Sequence, residues 1–357
     1  MTAVNSLEQL VEDANADLDA LGQSFVFGAP EGETPRFELY HAPFSICSQK
    51  VRTVLIEKGL AFSSHHLDLP VSETHASDSY RPSYVRLRLR GAPDGMMVSG
   101  YTGQSSVAVE GFDPCVVPTL IDHAHERVVV DALKICEYLD QEAETGQRLI
   151  PGDIAEDVSA QVALIDQAPH PALLYGASPE GEDIRPEIVA IPITGSLGHA
   201  VRHIQTIKAS VTDEPELVSA YDAKIVRQSS AEKFIYNRDA MLEAYARMAD
   251  HVARLEDQLS KHGGEWTFGN RYTMADIMWS ASLFRLKWLG LGPLWEEDGK
   301  APRVRAYVDK AFMRPGFRQA VINWPMATPP SHHIEPSAPY AQELFSAWKA
   351  MRASVAE

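Results

Sequence analysis

The first strongly patterned stretch of the chain runs from Phe37 to Gly59, FELYHAPFSICSQKVRTVLIEKG. Alternating apolar and polar residues at its start predict a short strand, a proline-bearing turn follows, and the remainder has helical spacing. Cys47, Val51 and Leu55 fall at i, i+4 and i+8, so they share one face of the predicted helix. Cys47 therefore lies in the first turn of this helix.

Further strand patterns place this helix in an α/β domain. A second strand is predicted near Ala61–Leu69, which gives a βαβ start with parallel strands. The apolar segment Cys115–Ile121 predicts another strand with Pro118 at its entry, and Arg127–Val130 has the pattern of its hairpin partner. A helix is expected to begin near Asp131.

Beyond residue 148 the pattern changes to long helical repeats, which predict a separate all-α domain over 149–325. Thr273 and Asp276 have the spacing of a capping box that opens a mostly apolar helix, the expected centre of that domain. The predicted helices of this domain are Ala155–Gln167, Pro215–Phe234, Arg238–Lys261, Thr273–Leu289 and Arg303–Met313.

Less regular segments surround and interrupt these two domains. The segment before residue 36 contains a short amphipathic helix around Ser6–Leu21 and is expected to pack loosely. The segment after residue 325 contains an amphipathic helix, Gln342–Met351. A long connection with a Gly/Ser-rich part interrupts the α/β domain, and connections of this length are usually functional or disordered. The predicted divisions are an extension at 1–35, the α/β domain at 36–148 with an insert at about 70–114, the helical domain at 149–325, and a proline-rich tail at 326–357.

Composition excludes several functions. The 357 residues include 49 acidic and 32 basic side chains, and the net charge of −17 would repel nucleic acids and anionic membranes. No apolar stretch approaches the roughly 20 residues of a membrane span, and residues 1–35 carry no Lys or Arg, so we expect a cytoplasmic protein. Cys47, Cys115 and Cys136 form no CxxC pair and are expected to be reduced. The adjacent pairs His65-His66 and His332-His333 are interpreted as solvated loops, and no metal is expected.

The position of Cys47 favours thiol chemistry. Unpaired amide groups and the helix dipole at a helix N-terminus stabilise a thiolate, and a stabilisation of about 1–2 kcal/mol would lower the thiol pKa by about one unit. The alternative is that Cys47 is a small buried residue on the core side of its helix. Its position alone leaves both interpretations open.

Several longer strings give the chain a family resemblance. FSICSQKVR, YVRLRLR, TGQSSVAVEGFDPCVVPTL, ALLYGASPEG and MADIMWSASLFRLKWLG resemble the glutathione-dependent reductive dehalogenases of chlorinated hydroquinones, within the glutathione transferase superfamily. The resemblance implies a thioredoxin-like N-terminal domain, an all-α C-terminal domain and glutathione as cosubstrate. It implies a small aromatic substrate of the 2,5-dichlorohydroquinone or tetrachlorohydroquinone type, and it leaves a homodimer open.

The resemblance also assigns site residues. It implies that Ser45 assists the glutathione thiolate and that Cys47 is the redox nucleophile. It implies a cis peptide bond at Val117-Pro118 that presents the backbone to glutathione. At the γ-glutamyl end this chain has Asp131-Ala132 where many transferases have an acid followed by serine, so weakened or rerouted glutathione binding is expected. Lys50 completes the set of expected glutathione-binding residues.

The ring-binding wall is expected on the first helices of the helical domain. His170, Tyr175 and Arg285 are the polar candidates, and each has a structural alternative. His170 could cap a turn, Tyr175 could be a core residue, and Arg285 could satisfy helix carbonyls or pair with an internal acid. A cationic lining would suit a ring carboxylate, as in 3,6-dichlorogentisate. The alternating arginines of YVRLRLR are expected to form a charged face, either towards solvent or as such a lining; they are Arg86, Arg88 and Arg90.

Three functions therefore compete. The first is reductive dehalogenation through a glutathionyl conjugate and a Cys47–glutathione mixed disulfide. The second is another glutathione-dependent reaction on aromatics, such as ether cleavage, conjugation or isomerisation, for which Ser45 would suffice. The third is a transferase-like binding module without catalysis, which the missing hydroxyl at Ala132 favours.

Overall fold

A computed structural model describes residues 6–19, 24–95, 97–144, 146–187, 190, 195–325, 331–335 and 337–340. Within these residues five strands form one mixed sheet in the order β1-β3-β2-β4-β5. β2 and β3 are parallel, whereas β1 pairs with β3, β4 with β2 and β5 with β4 in antiparallel fashion. The strands are β1 (Ser24–Phe27), β2 (Phe37–His41), β3 (Phe62–His66), β4 (Thr119–Asp122) and β5 (Arg127–Val130).

Helices cover both faces of this sheet and make up the second half of the chain. None of the helices in the described ranges is long and apolar enough to cross a membrane. They are α1 (Leu7–Asp19), α2 (Ile46–Glu57), α3 (Pro82–Leu89), α4 (Val107–Glu110), α5 (Ala132–Glu142), α6 (Ala155–Asp166), α7 (His170–Tyr175), α8 (Ser196–Ala209), α9 (Pro215–Ile235), α10 (Arg238–His262), α11 (Met274–Trp288), α12 (Pro293–Glu296), α13 (Pro302–Met313) and α14 (Pro315–Phe317), with short 3₁₀ turns at Asp78–Tyr80 and Gly152–Ile154 and a π turn at Arg318–Ile322.

The predicted fold class is confirmed, because an α/β sheet domain precedes a helical one. Side chains of β2 alternate between the two faces of the sheet, as strand geometry requires. Phe37 and Leu39 pack with α2 and α5, whereas Tyr40 packs on the opposite side with α1 and α3. The βαβ start and the hairpin are confirmed, but the strand predicted from Cys115 begins only at Thr119, because residues 114–117 form a bend.

The N-terminal extension is firmly docked, so the expectation of loose packing was wrong. Leu10, Val11 and Leu18 of α1 are buried in the core on one face of the sheet. Asn15 accepts a 2.6 Å hydrogen bond from the hydroxyl of Tyr40. Strand β1, which the sequence pattern did not predict, adds an edge to the sheet, so the extension is part of the α/β fold.

The insert also folds into defined structure, and the alternating arginines proved to be helical. Residues two apart on an α-helix lie about 200° apart, so Arg86 and Arg88 of α3 face opposite directions. Arg86 pairs with Glu214 at 2.6 Å, and Arg88 is buried. Arg90, at the end of α3, is exposed. A common charged face therefore does not exist, either to solvent or to a ligand.

Helix α11 forms the centre of the helical domain, as predicted. All but one of its residues are buried, and it packs against both α6 and α2. The predicted capping box is present: the carboxylate of Asp276 accepts the backbone N–H of Thr273 at 2.8 Å and its hydroxyl at 2.9 Å. Because α2 carries Cys47, the packing of α11 against α2 places the helical domain directly beside the candidate site.

Two smaller expectations have different outcomes. His65 and His66 are buried in β3, so their assignment to a solvated loop was wrong. His65 is 3.0 Å from the carboxylate of Glu38, and His66 accepts a hydrogen bond from the Trp324 indole at 3.0 Å. The helix predicted at Gln342–Met351 lies outside the described residues.

Candidate active site

The thiol of Cys47 lies at the beginning of α2, as the spacing predicted. Ser45 is the N-cap residue, and its Oγ accepts the backbone N–H of Ser48 at 3.4 Å. This capping uses only an acceptor position of the hydroxyl, so the Ser45 O–H remains a donor. The Cys47 residue is half-buried and packs against the main hydrophobic core.

The surroundings of Cys47 raise its thiol pKa, contrary to the expectation from the helix dipole. Burial is the largest cause, and the carboxylates of Asp166 and Asp131 add to it, whereas the charge of Lys50 and a contact with Ser105 lower the pKa. Dipole effects of about 1 kcal/mol are therefore outweighed by desolvation under the helical domain. In the site without ligand the thiol is the dominant form at neutral pH.

The peptide bond between Val117 and Pro118, directly before β4, is cis. Two side chains of α3 hold it. Tyr84 donates its hydroxyl to the carbonyl of Val116 at 2.7 Å, and Arg88 donates to the carbonyl of Pro118 at 2.6 Å. Among the described residues, no partner takes the backbone N–H or C=O of Val117. This backbone can pair with an extended peptide.

Asp131 occupies a strained position between β5 and α5. Its φ of 73° lies in the left-handed region, which non-glycine residues adopt rarely and mostly at functional sites. Its carboxylate caps α5 by accepting the N–H of Leu133 at 3.1 Å. Burial and the nearby charge of Asp166 raise the pKa of Asp131 to about 6. Ala132, which follows, is buried and offers no hydroxyl to a ligand.

Lys50 is a cation on the helix that carries Cys47. It is 95% buried, and within the described parts of the chain no hydrogen bond or ion pair joins its ammonium group to another residue. Its charge acts on both Cys47 and His170. A buried lysine without a carboxylate partner is costly unless an anionic ligand completes the site. The residue therefore fits a carboxylate or a thiolate.

The three candidates for the ring-binding wall come together near Cys47. Arg285 is buried, donates to the Phe44 carbonyl and lies over the Phe44 ring at 4.0 Å. Burial lowers its pKa to about 10, while the charges of Cys47 and Tyr175 raise it. Burial raises the pKa of Tyr175, so its phenol is a neutral donor. Arg285 therefore satisfies a backbone carbonyl just before α2, and no ion pair joins it to an acid among the described residues.

His170 begins α7 and is buried. Its Nε2 lies 2.9 Å from the hydroxyl of Ser282, while its Nδ1 has no hydrogen-bond partner in the described structure. Burial and the charges of Lys50 and Arg285 lower its pKa well below the usual value. The imidazole is therefore neutral, with a ring nitrogen available to a polar ligand group.

Sequence reasoning missed two residues near the sulfur. Ser105 of the insert has its Oγ 4.0 Å from the Cys47 sulfur, although TGQSS served only as a family signature. Asp166 ends α6, and its carboxylate acts on Cys47, Asp131 and Lys134. No local motif marks either residue, because tertiary packing alone brings them to α2.

Away from this site, Asp122, His125 and Glu142 have ligand atoms within 4.8 Å of one another. The guanidinium of Arg36 already lies among them, 2.5 Å from Asp122 and 2.6 Å from Glu142. A cation is thus supplied by the chain itself. This cluster is best explained as a structural ion-pair network.

The fold and the site together define the glutathione transferase class. They comprise a five-stranded mixed sheet with a cis-proline, a helix N-terminus that carries Ser and Cys, and a following helical domain. Matches to family models agree: the glutathione S-transferase N-terminal domain matches residues 44–142 and the C-terminal domain matches 228–310. The chain belongs to the glutathione S-transferase family, and it is an enzyme of that type.

Comparison with individual proteins is more specific than the match to the family models. The chain is 43% identical over 302 residues to the 2,5-dichlorohydroquinone reductive dechlorinase of Sphingobium indicum, covering 84% of this chain and 86% of that protein. It is 25% identical to the tetrachloro-p-hydroquinone reductive dehalogenase of Sphingobium chlorophenolicum over 81% of this chain and 98% of the relative. The beta-etherase LigF from Sphingobium sp. strain SYK-6 shares the fold, with a TM-score of 0.51 and 20% identity over 80% and 98% of the two chains. The expected family resemblance is confirmed.

Proposed function

We propose that this enzyme uses two molecules of glutathione to replace chlorine by hydrogen on a chlorinated hydroquinone of the 2,5-dichlorohydroquinone type. The 43% identity to a dechlorinase of that substrate supports the substrate class. The single structural observation that carries the chemistry is the half-buried cysteine in the first turn of α2. The backbone of Val117, which has no partner among the described residues, supports binding of a tripeptide.

Glutathione fits the groups around the start of α2. The unpaired backbone of Val117 would pair with its cysteinyl residue, which brings its sulfur to the hydroxyl of Ser45. The carboxylate of Asp131 would accept a hydrogen bond from the α-ammonium of the γ-glutamyl end, in place of the hydroxyl that Ala132 lacks. The helix cap uses only one of its acceptor positions, so others remain. Lys50 would pair with a glutathione carboxylate.

In the first half of the reaction, the hydroquinone tautomerises to an enone-like form, and the glutathione thiolate attacks the carbon that carries chlorine. A C–S bond forms, the C–Cl bond breaks, and chloride leaves with its electron pair. Ser45 would donate a hydrogen bond to the attacking sulfur. His170 and Tyr175 would bind the ring oxygens, because both are neutral and the Nδ1 of His170 has no partner in the described structure.

In the second half, the Cys47 thiolate attacks the sulfur of the glutathionyl ring. An S–S bond forms, the C–S bond breaks, and the ring carbon takes the electron pair and a proton. The ring is reduced while the two thiols are oxidised to a mixed disulfide. A second glutathione thiolate then attacks this disulfide, which releases oxidised glutathione and restores Cys47.

A ring carboxylate would suit the same site. Arg285 is buried near Cys47, and in the part of the chain that the structure describes it is not paired with a carboxylate, so it would remain available when Lys50 binds glutathione. The cationic lining expected from α3 is not available for this role, since Arg86 is paired with Glu214 and Arg88 binds backbone carbonyls. Dichlorogentisate therefore belongs in the substrate panel.

The test follows chloride and oxidised glutathione as purified enzyme is incubated with glutathione and either 2,5-dichlorohydroquinone or 3,6-dichlorogentisate. Cys47→Ser should still release chloride but accumulate the glutathionyl conjugate. Cys136→Ala, which changes another buried cysteine, serves as the matched control and should behave like the wild type. Normal formation of dechlorinated ring by Cys47→Ser would refute the assignment.

The raised pKa of Cys47 favours a second candidate, in which Ser45 alone supports conjugation or a related glutathione reaction on an aromatic substrate. Cys47 would then be dispensable. The same assay separates the two, because this candidate predicts equal product from the wild type and Cys47→Ser with no oxidised glutathione.

A further inference from the structure

The segment 102–106 of the insert is held in a fixed shape by one carboxylate. Glu110 of α4 accepts the backbone N–H of Thr102 at 2.6 Å, its hydroxyl at 2.8 Å and the backbone N–H of Gln104 at 3.3 Å. Arg227 of α9 donates to the same carboxylate at 3.2 Å. The side chain of Glu110 therefore organises the turn and ties it to the helical domain.

The backbone of this segment is also docked against the helical domain. The carbonyl of Gly103 accepts the N–H of Ala172 at 3.2 Å, and the carbonyl of Gln104 accepts from Arg227 at 3.2 Å. Gly103 has a φ of +85°, and a Cβ there would lie 3.0 Å from Phe234 and 3.1 Å from Ala172. Only glycine allows so close an approach. The position of Ser105, two residues later, is thus set on both sides.

Ser105 presents its hydroxyl to the candidate nucleophile. Its Oγ lies 4.0 Å from the Cys47 sulfur, and no hydrogen bond joins it to another described residue. Ser45 in contrast uses its Oγ to cap α2. The site therefore holds two serine hydroxyls, one at the expected position of the glutathione sulfur and one at the sulfur of Cys47.

We propose that Ser105 is a catalytic residue that donates a hydrogen bond to the Cys47 sulfur whenever this sulfur carries negative charge. The proposal rests on the proposed role of Cys47. The charge is present twice: when the Cys47 thiolate attacks the glutathionyl ring, and when Cys47 leaves as a thiolate during attack by the second glutathione. Ser105 keeps its own proton in both steps and stabilises the anion by its hydrogen bond.

Other charges around the sulfur explain why a donor is needed. Asp166 from α6 and Asp131 at the start of α5 oppose ionisation of Cys47, and burial opposes it further. Lys50 of α2 and Arg285 of α11 supply the favourable charges. The Ser105 hydroxyl lies 4.0 Å from the sulfur, and its weak hydrogen bond lowers the thiol pKa. The insert thereby contributes to the chemistry.

The experiment measures the rate of Cys47 alkylation by iodoacetamide between pH 6 and 10.5, resolved from the other cysteines by mass spectrometry. Ser105→Ala should shift the midpoint upward by roughly one pH unit, or about tenfold slower alkylation at neutral pH. Ser105→Thr should restore the wild-type midpoint. Ser106→Ala removes a buried hydroxyl of the same turn that has no partner in the described structure, and it should leave the midpoint unchanged.

A single-turnover assay adds the kinetic consequence. Ser105→Ala should release chloride at the wild-type rate and convert the glutathionyl conjugate several-fold more slowly. An unchanged alkylation midpoint in a Ser105→Ala variant that melts like the wild type would overturn the inference. If the wild type shows no dehalogenation but the midpoint still shifts, the proposed function fails while the Ser105–Cys47 contact stands.

Discussion

Arg88 offers the sharpest test of how the insert supports the site. Its buried guanidinium donates to the carbonyl of Asp113 at 3.0 Å, to the carbonyl of Pro118 at 2.6 Å and to the hydroxyl of Thr119 at 3.0 Å. It also lies 5.2 Å from the ring centre of Phe112. One side chain of α3 thus binds the segment that precedes the sheet strand β4.

The substitution Arg88→Ala removes all these contacts and leaves two buried carbonyls without their donor. Hydrogen bonds from a charged group are worth about 1.5–3 kcal/mol each, but they do not add fully, so the expected loss is about 4 kcal/mol. At about 2 °C per kcal/mol for a chain of this size, the melting temperature should fall by about 8 °C. The KM for glutathione should also rise, since the backbone at Val117 becomes less well ordered.

The assay compares thermal unfolding and glutathione kinetics of three variants in the same helix. Arg90→Ala removes an exposed arginine and should change stability by no more than about 0.5 kcal/mol. Arg88→Lys keeps the charge but not the fork of donors, so its melting temperature should lie between the other two. If Arg88→Ala melts within 1 °C of Arg90→Ala, the three hydrogen bonds do not hold this segment and the reasoning is refuted.

Two further predictions concern charges. The pKa of Asp131 is raised to about 6, so the stability that this residue contributes is lost as pH rises from about 4 through 6. Asp131→Asn should therefore melt a few degrees higher than the wild type at pH 7.5, with a smaller gain at pH 5. The same variant should bind glutathione more weakly, as measured by titration calorimetry. Equal gains at both pH values would count against this. Lys224→Met leaves the carboxylate of Asp113, which lies 2.7 Å from the lysine, without its closest cation. This substitution should lower the free energy of unfolding by about 3 kcal/mol and expose the insert to limited proteolysis. Lys233→Met changes an exposed lysine on the same helix and should do neither, and equal cleavage of both variants would contradict the assignment.

Local sequence signals predicted the elements that carry the site. The start of α2 follows from the spacing of Cys47, Val51 and Leu55, and the opening of α11 follows from the Thr273/Asp276 capping box. These signals are reliable because capping and helical periodicity act over a few residues.

Features set by distant contacts were predicted less well. The alternation in YVRLRLR resembles a strand, yet it lies in a helix, where Arg88 is directed to residues 25 to 31 positions away. Ser105 is 58 residues from Cys47 and meets it only after the insert has docked. Local periodicity contains no information on such pairs.

The pKa of Cys47 shows the same limit and also indicates how the site is organised. The helix N-terminus favours the thiolate, but burial together with Asp131 and Asp166 reverses the balance in the site without ligand. In the proposed complex, the α-ammonium of glutathione would neutralise Asp131 and so remove one of the causes that raise the thiol pKa. Binding of the cosubstrate would then favour ionisation of Cys47 at the stage when its nucleophile is needed. On this reasoning Asp131→Asn, which removes the same charge permanently, should lower the pH midpoint of Cys47 alkylation in the absence of glutathione; a midpoint that does not fall would show that burial and Asp166 hold the thiol protonated without Asp131.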